Sequence, residues 1–254
     1  MALFTNSYQS QYPQWQGDDI TTNPGSNKQV AAEIDRFAPV NSNKGVKDCW
    51  SDHYAIIKAA NFIIQNASKT PTDAASLNQA IGQAKFWRAY AYFTLVRLFG
   101  DIPLTLTNEN DDFTMKPSSV EQVYEQIVAD LTSDECEGLP ASYKNAPAFL
   151  NGVNVYVTKQ AVEATRAAVY MAMAGWPLEK GTSYYKKAAD EAKKVIEGER
   201  NGIYDIRMDE NFYDVYAMSN NYNKETILGI NNSPNVDWVQ DSQLTSCDQF
   251  ESLG

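Results

Sequence analysis

Residues 83–104 read Gln-Ala-Lys-Phe-Trp-Arg-Ala-Tyr-Ala-Tyr-Phe-Thr-Leu-Val-Arg-Leu-Phe-Gly-Asp-Ile-Pro-Leu. Ala84, Trp87, Ala91, Leu95 and Leu98 form one stripe at helical spacing, and Phe86, Tyr90, Phe93 and Val96 form a second. A helix apolar on most of its circumference has to be sandwiched between other elements. Gly100 tolerates a left-handed cap and Pro103 cannot continue a helix, so the chain turns out at Gly-Asp-Ile-Pro. With Trp50 and Tyr54 of a preceding helix, Phe86, Trp87, Tyr90 and Phe93 are expected to form the structural core.

Further helices are expected on both sides of this segment. One runs from about Trp50 to Asn66, and the central helix begins near Ser76. A third opens at Ser118, where Ser118-x-x-Glu121 reads as a capping box ahead of Val120, Val123, Tyr124, Ile127, Val128 and Leu131. Thr158 opens a fourth, whose Ala161, Ala164, Ala168 and Ala172 would let a neighbouring backbone approach closely. The fifth runs from Thr182 to Glu197 and stops at Gly198. Bulky helices alternating with small-residue helices suggest a mainly α fold, an irregular tetratricopeptide-like scaffold of helix pairs without a strict period. Short strands are expected at Val153–Val157 and Thr226–Ile230. The chain reads as one helical domain, 1–254, with loop-rich segments at 1–49 and 201–254 flanking helix pairs over 50–200.

Composition narrows the chemistry. The chain has 254 residues, a formal charge of −11 and no concentrated run of Lys and Arg, which argues against nucleic-acid binding. Its single histidine, His53, argues against histidine triads and His-rich metal sites, and packing or capping is its expected role. Cys49, Cys136 and Cys247 match neither zinc spacing nor a disulfide framework. No stretch is apolar over the roughly 18 residues of a membrane helix. The start Met1-Ala-Leu-Phe lacks the pattern of a signal peptide.

The 83–104 segment resembles the signature of the SusD/RagB family, surface lipoproteins with which Bacteroidetes capture glycans. Trp87 and Ile102 stand where that signature has leucine and valine. Further matches fall in family order at Trp50, Tyr54, Ile57 and Asn61; at Ser119, Val123, Tyr124, Ile127, Asp130 and Leu131; at Val157-Thr158-Lys159-Gln160-Ala161; and at Glu225-Thr226-Ile227-Leu228. The resemblance implies a helix-pair scaffold and non-catalytic binding of an oligosaccharide or polysaccharide at the outer-membrane surface. It also implies delivery to a SusC-like TonB-dependent transporter and attachment through a lipid anchor not present in this chain. Family members are about twice this length, so the expected content is the N-terminal, helical half. The alternative is a protein-interaction scaffold of the transporter complex without a small-ligand site.

Neutral sugars are gripped by flat aromatic faces and by amides and carboxylates on their hydroxyls. The candidate glycan contacts are therefore loop residues: Tyr12 and Trp15 ahead of Asp18 and Asp19, then Phe37, Asn41 and Asn43, and Trp238 in a polar loop. Asp18 and Asp19 are adjacent, which suits a hydrolytic carboxylate pair poorly. The run Asn108-Glu109-Asn110-Asp111-Asp112 lacks the glycine and distant glutamate of a calcium loop and reads as a solvated turn. No cofactor, metal or catalytic residue is expected.

Overall fold

A computed structural model describes residues 29–108, 114–144, 149–150, 153–154, 156–215, 217, 220 and 223–229. The chain divides into two compact units, residues 1–56 with 230–254 and residues 57–229, a finer division than one helical domain.

In the first unit, α1 (Gln29–Asp35) buries Ala31, Ala32 and Ile34 in a segment expected to be loop. After a short turn comes α2 (Lys44–Asn66), which enters the second unit at Ile57. It starts six residues before the expected Trp50. The cause is Asn43, whose Oδ1 accepts the Val46 amide at 3.1 Å and so satisfies one of the unpaired donors of the first turn.

In the second unit, Asp73 opens α3 (Ala74–Phe99) by accepting the Ser76 amide at 2.9 Å, and Gly100 closes it at φ 71. The exit then does structural work. Asp101 Oδ1 accepts the Val120 amide at 2.9 Å, and Ile102 exchanges two backbone bonds with Ser118 at 2.9 and 3.2 Å. That bridge holds Ser118 extended, so the capping box falls one residue later than expected, on Ser119 and Gln122, and α4 spans Val120–Leu131.

A single-turn helix, α5 (Asp134–Glu137), follows, then a two-residue antiparallel pair of β1 (Phe149–Leu150) and β2 (Val153–Asn154). Next come α6 (Lys159–Ala174), α7 (Thr182–Arg200) and the short α8 (Phe212–Val215). A turn at Lys224 and Glu225 and a bend at Ile227 and Leu228 stand in place of the expected Thr226–Ile230 strand. Gly198 also lies inside α7 instead of ending it. A Cβ there would sit 2.3 Å from the Tyr204 ring, so glycine makes room for that ring, and the helix ends before Gly202 at φ 67.

Within the second unit α3 packs on α4 and α5, α6 on α7, and α4 on α6. This is the mainly helical, pairwise-stacked scaffold expected. Its interior holds Phe86, Tyr92, Leu95, Ile102, Val123, Ile127 and Leu131, none more than 1% exposed.

Candidate functional site

The motif residues form a buried lock. Arg88 Nε and Nη2 grip Asp130 of α4 in a bidentate pair at 2.8 and 2.7 Å, and Nη1 donates to Asn61 Oδ1 at 2.8 Å. Asn61 in turn donates to the Thr105 carbonyl at 3.0 Å, and the Tyr92 hydroxyl donates to that carbonyl at 2.8 Å. The signature arginine therefore ties α2, α3, α4 and the segment after α3 into one unit, with every charge paired. A parallel clasp holds the segment before α6. Gln83 donates to Val157 O and accepts from Val157 N, at 2.8 and 2.9 Å, while the Tyr143 hydroxyl donates to the same carbonyl. Burial pushes the Tyr143 phenol up to about 12, so it serves as a neutral donor.

Beside α3 lies an open groove of about 340 Å³. Its walls include Tyr90, Phe93 and Arg97 of α3 and Ile227–Leu228, and its floor is Ala161, Ala164, Thr165 and Ala168 of α6. Ala161, Ala164 and Ala168 of the stripe expected to seat a neighbouring backbone face this groove, and Ala172 is not part of its lining. Arg97 lies over the Phe93 ring, 4.1 Å from its centroid, and supplies a cation at the rim.

The expected core residues divide accordingly. Phe86 and Phe93 are buried, at 0% and 6% exposure. Trp50, Tyr54, Trp87 and Tyr90 are only half-buried, a correction to the expectation of an interior position. Trp87 and Tyr90 form an aromatic cluster with Phe86, at centroid separations of 5.3–6.0 Å, and Trp50 pairs with Tyr54 at 4.9 Å.

Of the candidate glycan contacts, Tyr12, Trp15, Asp18, Asp19 and Trp238 lie outside the described residues, as does most of the Asn108–Asp112 run. Phe37 and Asn41 stand exposed in the turn between α1 and α2. Phe37 is 67% exposed and adopts φ 55, a conformation unfavourable for a bulky side chain. Asn43 is buried, and this corrects its assignment as a contact. Its amide donates to Val30 O and Glu33 Oε2 while its carbonyl oxygen caps α2, so no polar atom is left for a sugar. The Asn43 amide is the main cause holding the Glu33 carboxyl below its usual range.

His53 is buried within α2 and lies 2.6 Å from the Cys49 carbonyl, a packed position. Among the described residues no group of His, Cys, Asp and Glu could hold a metal ion.

Exposed aromatics overlooked in the sequence are Trp176, at 84% exposure between α6 and α7, and Phe212 and Tyr213 of α8, at 71% and 81%. The connection around Trp176 is too short to register as a loop, and the Phe212–Tyr213 pair carries no helical periodicity. Only exposure distinguishes them from core aromatics.

A family model described as SusD-like, starch-binding and associating with the outer membrane matches residues 4–171. SusD-like protein P2 of Formosa agariphila is 32% identical over 72% of this chain and 33% of its own length. A SusD-like protein of Bacteroides ovatus is 27% identical over 80% and 36%, respectively. The chain thus spans about a third of the length of these curated relatives. A SusD superfamily structure from Parabacteroides distasonis superposes with a TM-score of 0.71 at 28% identity, covering 85% of this chain and 43% of the other. Two structures at 22% identity share the fold, one described with a xylogluco-oligosaccharide (TM-score 0.73; 96% and 47% covered) and one as a laminarin-binding SusD-like protein (0.66; 80% and 41%). The chain belongs to the SusD-like family, non-catalytic binding proteins described as starch-binding and associating with the outer membrane.

Proposed function

We propose that this chain is the helical portion of a cell-surface protein that captures an oligosaccharide and hands it to a SusC-like TonB-dependent transporter. The observation carrying this reading is the family match over residues 4–171, with its starch-binding, outer-membrane description. The xylogluco-oligosaccharide and laminarin of the related structures support glycans as the ligand class. Membrane attachment is assigned to a lipid anchor.

Within the chain, the motif residues build and lock the scaffold, and glycan contact falls to the turns between helices. Phe37 and Asn41 are the described candidates. Phe37 takes φ 55 because it closes α1, its amide on Ile34 O and the Ala38 amide on Glu33 O, and this turn presents its ring to solvent, where a sugar could stack on it. Tyr12, Trp15, Asp18, Asp19 and Trp238 remain candidates on their sequence context. The test is glycan-array screening followed by calorimetry on the full-length protein, with Phe37→Ala and Asn41→Ala alongside. Carbohydrate binding weakened by these substitutions is expected. Binding of a peptide or another nutrient with no carbohydrate binding would overturn the substrate class.

A further inference from the structure

We infer that the turn between α6 and α7 carries a sugar-stacking subsite built on Trp176 and Tyr185, an inference that rests on the glycan-binding reading above. The turn is tied down. Glu179 N bonds to Gly175 O at 2.7 Å, and Lys180 N and Gly181 N bond to Met173 O and Ala174 O, each at 3.1 Å, so the ends of the turn are fixed to the last residues of α6. On this base Trp176 is 84% exposed and Tyr185 52% exposed. Tyr185 lies beside the start of this turn, since a Cβ at Gly175, the residue before Trp176, would lie 3.8 Å from its hydroxyl.

An indole on a fixed turn loses little freedom when it binds, and that suits a weak, flat ligand. The size of the patch selects the occupant. Two such rings at these exposures offer on the order of 300 Å², and Met171, one helical turn before Gly175 and 59% exposed, adds little more. A stable protein partner needs about 800 Å² per side. A pyranose ring needs only one aromatic face for its C–H groups, and the Tyr185 hydroxyl can bond a sugar hydroxyl beside it.

The test is calorimetry on the full-length protein with a xylogluco-oligosaccharide and a laminarin-derived oligosaccharide, comparing wild type, Trp176→Ala, Trp176→Phe and Tyr185→Phe. Trp176→Ala is expected to weaken binding of at least one probe roughly tenfold or more without moving the melting temperature, and Trp176→Phe to keep most of the affinity. Equal affinity of wild type and Trp176→Ala would overturn the subsite and leave the family-level reading standing. Loss of transporter co-purification with sugar affinity unchanged would make the patch a protein contact and overturn it too. Failure of the wild type to bind either probe or any glycan on an array would overturn the glycan reading and the subsite together.

Discussion

Replacing Arg88 by Met tests whether the signature arginine is a scaffold residue. The substitution keeps the apolar stem and removes three hydrogen bonds, two to Asp130 and one to Asn61. The side chains of Arg88 and Asp130 are only 7% and 3% exposed, so water cannot replace the lost partner. The Asp130 carboxylate would keep the Gln126 amide, at 3.0 Å, as its side-chain donor. A buried charge stripped of its partner costs roughly 3–5 kcal/mol, a large share of the ~5–15 kcal/mol that holds a typical domain together. At about 2–4 °C per kcal/mol for a domain of this size, the melting temperature should fall by about 6–20 °C. Arg88→Met, Asp130→Leu and the double variant would be compared by denaturant and thermal unfolding, followed by circular dichroism. Because the double variant removes both charges, it should lose less than the sum of the singles by about 2 kcal/mol or more. A single-variant loss below about 1 kcal/mol, or strict additivity, would show that the pair does not lock the helices.

Gly82 lets α3 approach α5, since a Cβ there would lie 2.5 Å from the Glu135 carbonyl oxygen. The helix-propensity gain of about 1 kcal/mol is therefore outweighed by overpacking of about 1–3 kcal/mol, and a Gly82→Ala protein that unfolds at higher denaturant would contradict this. Burial, against the Cys49 carbonyl bond and Asp52, holds His53 below its ordinary 6.5, so the unfolded chain takes up its proton first. Stability should thus be full above about pH 6.5 and decline as pH falls toward the folded value, and His53→Gln should flatten that slope in denaturation midpoints. Burial also pushes the Cys49 and Cys136 thiols up to about 12 and about 11. With Cys247 replaced by serine, thiol reagents at pH 8 should leave the folded protein unlabelled and modify both cysteines after unfolding; rapid labelling of the folded protein would contradict their burial.

The helices were legible because their signals are local. Periodicity located α3, and Gly100 marked its end, since these depend on residues within one turn. The errors arose where distant partners decide. Ser118 has the chemistry of a cap, but its pairing with Ile102, across sixteen residues, moved that role to Ser119. Gly198 looks like a stop, yet the Tyr204 ring requires a glycine inside the helix. The α1 helix is harder to read because its seven residues span only two turns, too short for a helical period to show.

For the candidate site the same division has a functional meaning. Arg88, Asn61, Asp130, Asp101 and Ile102 each engage the motif network or the clamp at the exit of α3, with no polar group of the buried trio turned outward. Residues held this way carry the family signature and stabilise the scaffold. They do not specify a sugar. On the proposed reading, recognition falls to side chains that the fold carries without needing, and the exposed candidates are Phe37 at the close of α1 and Trp176 on a fixed turn. Substitution at these two positions should change affinity with little loss of stability, whereas Arg88→Met should reduce both, through the fold.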